Sequence, residues 1–410
     1  MSAIVVGGGP AGLMAAETLA TEGVAVTVYE HMPSVGRKFV LAGRSGLNIT
    51  HTEPIEQLLA RYGTGAEHLS AAIHAFGPTE LRAWCALLDE PTFVGSTGQV
   101  FPASLRATPL LRAWLARLEQ LGVMIEVRHR WLGWASDSEG RIDGRRLRFA
   151  SSDGTTAEIE TDVAVLAMGG ASWPRVGSDG GWVRVVREAG IQVNELRPAN
   201  CGMRVGWTEH FTDRFAGTPL KNVAISFGEV RVRGDAMITR QGIEGGPVYA
   251  QSAAIRDTID RRGRCTMHID LHPDLTEDEL TERLGRRRPK DSVSTSLRRT
   301  IGLAPVSVSL LREVTGNRLP SDPGELATLV KAVPLVIEST MPIDRAISSA
   351  GGISMTEVDD SFMLSGVPGT FVAGEMLDWE APTGGYLLQA SFSTAVAAAR
   401  GALAWLRRDH

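Results

Sequence analysis

Six residues near the start of the chain have the spacing of a phosphate-binding loop. The sequence Gly7-Gly8-Gly9-Pro10-Ala11-Gly12 follows the apolar run from Ala3 to Val6 and precedes an apolar-periodic segment, Leu13 to Ala20, which predicts a helix. Its first, third and sixth residues fit G-x-G-x-x-G, which provides a tight turn, a close approach of backbone to a pyrophosphate, and close packing of helix on strand. Amides at the start of that helix would bind phosphate oxygens.

An acidic residue ends the second predicted strand, Ala25 to Tyr29. Glu30 lies 18 residues beyond Gly12, where a carboxylate accepts hydrogen bonds from an adenosine ribose. A free 2′-phosphate would be repelled there, which favours FAD or NAD over NADP. The strand-helix-strand opening therefore predicts a dinucleotide site.

Two segments rich in glycine and charge favour FAD over NAD. The first follows the acidic strand directly and can run along an extended cofactor; it comprises Gly36-Arg37-Lys38-Phe39 and Ala42-Gly43-Arg44-Ser45-Gly46-Leu47-Asn48-Ile49-Thr50. The second is Thr370-Phe371-Val372-Ala373-Gly374-Glu375, a buried strand that ends in a glycine-acid pair. In FAD enzymes such a pair meets the ribityl and pyrophosphate region.

A third feature is a series of short strands predicted between Val123 and Ala164, with turns at Ser138-Glu139-Gly140 and Asp153-Gly154. The apolar strand Val163 to Ala167 follows and ends in Met168-Gly169-Gly170. This order is typical of two-domain flavoproteins, whereas a dehydrogenase would continue with another crossover helix.

No second dinucleotide fingerprint is predicted. Gly177-Ser178-Asp179-Gly180-Gly181 lies in a loop with no acidic-ended strand-helix-strand unit after it. A dedicated NAD(P)H domain is therefore not expected, and a nicotinamide donor would enter transiently through the substrate face.

The bulk composition excludes several classes of protein. The chain has 410 residues, of which 43% are hydrophobic and 22% charged, as in a globular protein and unlike a disordered one. Three cysteines outside any Cys-x-x-Cys pair and scattered histidines predict neither a disulfide framework nor a metal site. Without a basic leader or an apolar run of about 18 residues, a cytoplasmic protein with no membrane contact is predicted.

The middle of the chain is predicted to be an insertion in two parts. Alternating apolar residues in Val223–Phe227, Glu229–Val232 and Thr266–Ile269 indicate a small β-barrel or sheet. Helical patterns follow near Thr276–Leu284, Val293–Ile301, Val306–Glu313 and Pro323–Lys331. A last helix is predicted from Leu387 to Leu406.

These motifs together resemble the YhiN/BaiN-type flavoproteins, the aminoacetone-oxidase-like FAD-binding family. The similarity runs through residues 7–30, 36–50, 99–104, 166–170, 349–353, 374–378 and 382–389. The chain departs from the family's usual residues at Gln99, at Arg44-Ser45-Gly46-Leu47 and at Leu387. These changes lie near the expected flavin, so the family does not fix the substrate.

The resemblance implies an α/β fold with a discontinuous, glutathione-reductase-type Rossmann domain for FAD, interrupted by a β-barrel-like plus helical insertion. The expected boundaries are 1–197 and 339–410 for the FAD domain, 198–271 for a β-rich substrate or cap domain, and 272–338 for a helical subdomain. It also implies a set of cofactor-binding residues, namely Gly7, Gly9, Pro10, Ala11, Gly12, Glu30, Arg37, Lys38, Gly43, Asn48, Trp131, Ala167, Gly169, Gly374, Glu375, Asp378, Gly384, Gly385, Tyr386 and Leu388.

No catalytic residue is predicted. Cys201, Tyr249 and Tyr386 can each donate a proton, but each is also an ordinary core residue. Amides at the start of the last helix, after Pro382-Thr383-Gly384-Gly385, would stabilise negative charge on the reduced flavin.

The expected activity is an FAD-dependent oxidoreductase that reduces an electron-poor C=C or C=N bond of a small molecule with hydride from NAD(P)H. One alternative is a flavoenzyme that forms dihydrouridine in ribosomal RNA. The stretch from Arg204 to Lys331 favours it, with 20 basic and 17 acidic residues, whereas the net charge of −5 argues against broad RNA binding. An oxidase of small amines or ketones, or a flavin-binding sensor, are further alternatives. The sequence leaves the oligomeric state open.

Overall fold

The computed structural model describes residues 1–43, 46–136 and 139–408. Contacts divide the chain into two compact units, one of Met1–Arg197 with Ile347–His410 and one of Pro198–Ala346. The predicted roles of the domains stay predictions. Arg44 and Ser45 of the predicted cofactor segment, and Ser138 of a predicted turn, lie outside the described residues.

The strands, in chain order, are β1 Ser2–Val6, β2 Ala25–Glu30, β3 Thr50–His51, β4 Thr92–Val94, β5 Gln99–Pro102, β6 Met124–Val127, β7 His129–Ser136, β8 Ile142–Ser151, β9 Thr156–Glu160, β10 Val163–Leu166, β11 Val193–Ala199, β12 Met203–Arg204, β13 Pro219–Phe227, β14 Val230–Thr239, β15 Gly242–Glu244, β16 Cys265–Asp270, β17 Val333–Ile337, β18 Ser339–Thr340, β19 Ser348–Ile353 and β20 Thr370–Val372.

The α-helices, in chain order, are α1 Pro10–Thr21, α2 Arg37–Ala42, α3 Ile55–Ala60, α4 Ala66–Ala75, α5 Pro78–Leu87, α6 Ala107–Gln120, α7 Trp182–Glu188, α8 Glu209–Phe215, α9 Gly246–Tyr249, α10 Ser252–Arg262, α11 Glu277–Gly285, α12 Val293–Thr300, α13 Pro305–Val314, α14 Pro323–Lys331 and α15 Tyr386–Arg408. Among the described residues, none of these helices has the length and hydropathy needed to cross a membrane.

A parallel five-stranded sheet forms the centre of the first unit, in the order β20-β10-β1-β2-β6. Strands β1, β10 and β20 are almost entirely buried and largely apolar, as expected for a parallel sheet that is covered on both faces. This architecture confirms the predicted Rossmann-like α/β fold. One strand differs from expectation: β6, predicted with the other short strands, pairs in parallel with β2. It follows α6, and a strand reached through a helix can return parallel to the sheet.

The remaining strands of the first unit form smaller sheets. Strands β7, β8 and β9 form an antiparallel meander that leads into β10, as predicted. Strands β3, β5 and β4 form a second antiparallel sheet around a hairpin.

The second unit contains one seven-stranded antiparallel sheet, in the order β17-β16-β13-β14-β15-β12-β18. The alternating apolar residues of this part of the chain predict either a small barrel or a sheet, and the strands form a sheet. Helices α11 to α14 lie where the sequence predicts helices, and α14 has the predicted bounds. Strand β17, within the range predicted as a helical subdomain, pairs along its length with β16. Its alternating burial explains why it joins the sheet.

A buried charge joins α1 to its neighbours in the first unit. The Glu17 side chain, in a residue only 4% exposed, accepts hydrogen bonds from the Trp84 indole N–H at 3.0 Å and from Arg117. A buried carboxylate needs such partners because its hydration is lost on folding.

We predict that Glu17→Ala lowers the free energy of unfolding by about 2–3 kcal/mol, since it leaves the Arg117 charge and the Trp84 indole N–H without their partner. The matched control is Glu22→Ala, which breaks only a half-exposed pair with Arg407 and should cost less than about 1 kcal/mol. Denaturant unfolding followed by tryptophan fluorescence measures both. Equal losses in the two variants would contradict the prediction.

Candidate functional site

An extended cavity lies along the carboxyl ends of β1, β2 and β10, where ligands bind in open α/β sheets. Its wall contains twelve of the twenty predicted cofactor residues, namely Gly7, Gly9, Pro10, Ala11, Glu30, Arg37, Lys38, Trp131, Ala167, Gly169, Glu375 and Leu388. Residues separated by more than 300 positions in the sequence therefore share one wall.

The glycines of the first loop differ in what surrounds them. A Cβ atom on Gly7 would lie 2.4 Å from the Ala167 carbonyl oxygen, and one on Gly12 would lie 1.9 Å from the Gly7 carbonyl oxygen. A Cβ atom on Gly9 would meet nothing within 4 Å. Gly7 and Gly12 are thus needed for packing of the chain, whereas Gly9 keeps an open approach to the first amides of α1.

Glu30 is fixed at the end of β2 by three donors. One carboxylate oxygen accepts a hydrogen bond from the Gly8 amide and the other from the Met32 amide, each at 2.8 Å, and His31 Nδ1 lies 3.2 Å from the second. Burial alone would raise the pKa of Glu30, but the hydrogen bonds from His31, Met32 and Gly8 outweigh it and lower the pKa. The charged carboxylate is therefore held ready to accept hydroxyl donors.

Lys38 and Glu375 form an ion pair in the cavity wall. The Lys38 ammonium donates to a Glu375 carboxylate oxygen at 2.8 Å and to Ser172 Oγ at 2.6 Å. The other Glu375 oxygen accepts the Ser349 amide at 2.8 Å. Two residues predicted as separate cofactor contacts are thus partners of each other, and the cation offsets a negative charge at the site.

Buried polar atoms without partners give a test of whether this cavity suits a dinucleotide. Within the described residues, Arg37 Nε, Trp131 Nε1 and Ser178 Oγ are buried and lack a hydrogen-bond partner, and all three residues line the cavity. Unpaired buried donors are costly unless a ligand or water satisfies them. Together with the open Gly9 and the charged Glu30, they fit FAD, which offers phosphate, ribose and ring acceptors.

Eight predicted cofactor residues do not line the cavity. They are Gly12, Gly43, Asn48, Gly374, Asp378, Gly384, Gly385 and Tyr386. Several pack elsewhere: a Cβ atom on Gly43 would meet Ala107, and one on Gly385 would meet the backbone of Thr50. Asp378 accepts a hydrogen bond from Asn194 at 2.6 Å, while Asn48 Oδ1 is buried without a partner.

Tyr386 belongs to a cluster at the start of α15. Its ring stacks on His51 with centroids 5.5 Å apart and lies 5.7 Å from the Arg61 guanidinium carbon. Burial, with a hydrogen bond to Glu53, raises the pKa of Tyr386. Its hydroxyl is engaged with Glu53, so this cluster holds the first turn of α15 in place.

The other two suggested proton donors lie in the second unit. Burial, followed by the nearby Glu244 charge, raises the pKa of Tyr249 to about 12. Cys201 is buried. The Tyr249 hydroxyl is therefore protonated near neutral pH.

Residues 176–179 and Trp182 were not predicted, yet they line the cavity. The glycine spacing of this stretch by itself suggests at most a second fingerprint. The stretch comes after β10 and Gly169-Gly170 in the chain, a position that indicates a cofactor wall. Within the described ranges, no group of three or more His, Cys, Asp or Glu side chains is arranged to hold a metal ion.

We predict a pH dependence from Glu30. Because its pKa lies below the ordinary value of 4.5, the carboxylate stabilises the folded protein fully above that pH, and the contribution is lost as pH falls through the lowered pKa. The free-energy advantage of wild type over Glu30→Gln should therefore be present at pH 5 and above and shrink below pH 4.5. Denaturant titrations of the two apoproteins measure it; an unchanged difference at pH 3 would contradict the prediction.

The comparisons with known proteins agree with this architecture. The family model described as HI0933-like protein Rossmann domain matches residues 1–401. A 3-dehydro-bile acid delta(4,6)-reductase of Clostridium scindens is 26% identical over 97% of this chain and 98% of its own length. A ribosomal RNA dihydrouridine synthase of Haemophilus influenzae is 23% identical over 97% of both chains.

Solved structures show the same fold at low identity. A 3-ketosteroid delta1-dehydrogenase from Sterolibacterium denitrificans superposes with a TM-score of 0.57 at 13% identity, over 98% of this chain and 99% of that one. The open form of a flavocytochrome c3 fumarate reductase gives 0.52 at 12% identity, over 98% and 78%. The family match, which spans nearly the whole chain, shows that this protein belongs to the HI0933-like Rossmann-domain family of FAD-binding oxidoreductases.

Proposed function

We propose that the protein is an FAD-dependent reductase that uses hydride from NADH or NADPH to reduce an electron-poor C=C or C=N bond of a small molecule. The observation that carries the proposal is the single cavity, which combines an open glycine loop, a charged Glu30 and a lysine-neutralised Glu375. The full-length similarity to the bile acid reductase supports a reductive direction.

The chemistry of each cavity residue indicates which part of the cofactor it would bind. The Gly7–Gly12 loop and the first amides of α1 would bind the pyrophosphate, and Glu30 would accept the ribose hydroxyls. Arg37 would bring positive charge to the phosphates, Lys38 offsets the charge of Glu375, and Leu388 covers an apolar part of the wall. Bound FAD supplies the hydride transfer, while the protein orients it and excludes water.

Formation of dihydrouridine in ribosomal RNA is the second candidate function. It rests on the similarity to the ribosomal RNA enzyme and on the excess of three basic residues between Arg204 and Lys331. Arg286 in that stretch already pairs with Glu282, which reduces the free charge available for phosphates. Binding of ribosomal RNA that weakens steeply with salt would favour this candidate.

We predict rapid loss of the oxidised flavin absorbance when anaerobic holoprotein is mixed with NADH or NADPH in a stopped-flow instrument. An electron-poor alkene should then restore it faster than oxygen does. Faster return with oxygen would indicate an oxidase, and no reduction by either nicotinamide would contradict the proposal and favour a binding protein.

Two glycine variants distinguish an effect on cofactor binding from an effect on the stability of the fold. We predict that Gly9→Ala leaves the stability of the apoprotein unchanged but weakens FAD binding at least tenfold, since its methyl group enters only the open approach. Gly12→Ala should instead cost about 1–3 kcal/mol of stability because its methyl group collides with the Gly7 carbonyl. Thermal unfolding and flavin fluorescence titration measure both. Normal FAD affinity in Gly9→Ala would contradict the prediction and would mean that the phosphates bind elsewhere.

A further inference from the structure

The chain segment 176–181 crosses the carboxyl end of β1. It comes after β10, and the sheet order β20-β10-β1-β2-β6 places β1 between β10 and β2. On the β10 side, the Gly180 amide donates to the Gly170 carbonyl at 3.1 Å. On the β2 side, a Cβ atom on Gly177 would lie 2.9 Å from Met32 Cγ, just beyond that strand. The segment therefore extends over about two strand spacings, roughly 10 Å, past the end of β1, where the glycine loop lies.

This segment, residues 176–181, is called the clasp below, and it borders the space where a dinucleotide would lie. Residues 176–179 and 181 line the same cavity as the glycine loop. Ser178 is 4% exposed, and within the described residues its hydroxyl has no hydrogen-bond partner. A hydroxyl buried in a cavity wall without a partner indicates a ligand or water on that side. The clasp therefore faces the cofactor site with a free donor.

Asp179 fastens the clasp to two other walls of the cavity. One of its carboxylate oxygens accepts hydrogen bonds from both terminal nitrogens of Arg130 on β7, each at 3.1 Å, and lies 3.9 Å from His31 Nε2. The other oxygen accepts the Gly181 amide at 2.9 Å, within the clasp itself. The side chains of Asp179 and His31 are 32% and 21% exposed. Contacts between partly exposed charges are modest in free energy, so they can break and form again.

The His31 ring lies between two carboxylates, Glu30 at the end of β2 and Asp179 in the clasp. Its Nδ1 lies 3.2 Å from a Glu30 oxygen and donates to it. With that hydrogen committed, Nε2 of a neutral ring carries a lone pair, whereas in the charged ring it carries a hydrogen and attracts Asp179. Arg130, from β7, is the positive group on the other side of the same Asp179 oxygen. Histidine changes charge between about pH 5 and pH 8, so this contact depends on pH.

We propose that the clasp closes over the adenosine end of bound FAD, and that His31 and Asp179 are positioning residues whose ion pair slows release of the cofactor at low pH. Glu30, the proposed acceptor for the ribose hydroxyls, puts this pair at the adenosine end. A cofactor that leaves by this end displaces the clasp, and that motion breaks the contacts of Asp179 with Arg130 and His31. This inference rests on the FAD site of the proposed function and adds how the FAD is retained.

The test measures the rate at which full-length holoprotein loses FAD. Immobilised holoprotein is washed at about pH 6 and at about pH 8.5, on either side of the usual histidine range, and the FAD in the eluate is quantified by its fluorescence at one common pH. His31→Gln is uncharged at both pH values and can still donate to Glu30. Asp179→Asn removes the carboxylate that both His31 and Arg130 contact.

Two matched controls make the same chemical changes away from the cavity. They are His74→Gln, on the exposed face of α4, and Asp213→Asn, which breaks an exposed pair with an arginine in the second unit. Wild type and both controls should release FAD about threefold more slowly at pH 6 than at pH 8.5. In His31→Gln and Asp179→Asn this ratio should fall to about one, with faster release from Asp179→Asn because the contact with Arg130 is lost as well. A merely structural defect would speed release equally at both pH values and leave the ratio unchanged.

Three results would overturn the proposal while leaving the reductase function intact, provided NADH or NADPH still reduces the flavin. Equal release rates of wild type at the two pH values would show that the clasp has no titrating contact. A threefold ratio that persists in His31→Gln would assign the pH dependence to another group. The same ratio in Asp179→Asn would mean that His31 acts on the cofactor directly and not through the clasp. A wild-type protein that binds no FAD would overturn the proposed function itself.

Discussion

The close approach of α1 to β1 is the constraint on which the site depends. Because Gly12 has no side chain, the first turn of α1 can lie against the Gly7 carbonyl, where a methyl group would be only 1.9 Å away. Gly7 makes a similar approach to Ala167, at the end of β10. These contacts bring the amides of α1 to the ends of three parallel strands. The site is thus an extended groove with a glycine loop and helix amides at one part of its wall, as the pyrophosphate of a dinucleotide requires.

Side-chain charges around this groove are fixed before any ligand arrives. Glu30 is held by the Gly8 amide of the glycine loop and by the Met32 amide, and Glu375 is held by Ser349 and Lys38. Since these groups need little reorganisation, binding free energy is not consumed in ordering them. Lys38 also offsets the acidic charge of Glu375, which would otherwise repel the phosphates of the proposed cofactor.

The cofactor wall combines groups that stabilise the folded chain with groups that do not. Backbone amides and the Lys38–Glu375 ion pair satisfy the charged groups of the wall. Among the described residues, Arg37 Nε, Trp131 Nε1 and Ser178 Oγ are buried there without partners, which disfavours folding until a ligand or water satisfies them.

The sequence by itself determined the β1-α1-β2 opening, Glu30, the helices of the second unit and the long α15, because each follows from local spacing of glycine, apolar and capping residues. It did not determine that β6 joins the parallel sheet or that residues 176–179 line the cavity. Nor did it indicate the ion pair between Lys38 and Glu375, which are 337 positions apart. Such contacts depend on which strand ends the tertiary fold brings together, and local spacing does not encode that. The left-handed backbone at Leu105, with φ 58°, is also a tertiary result, because a Cβ atom disfavours that conformation locally.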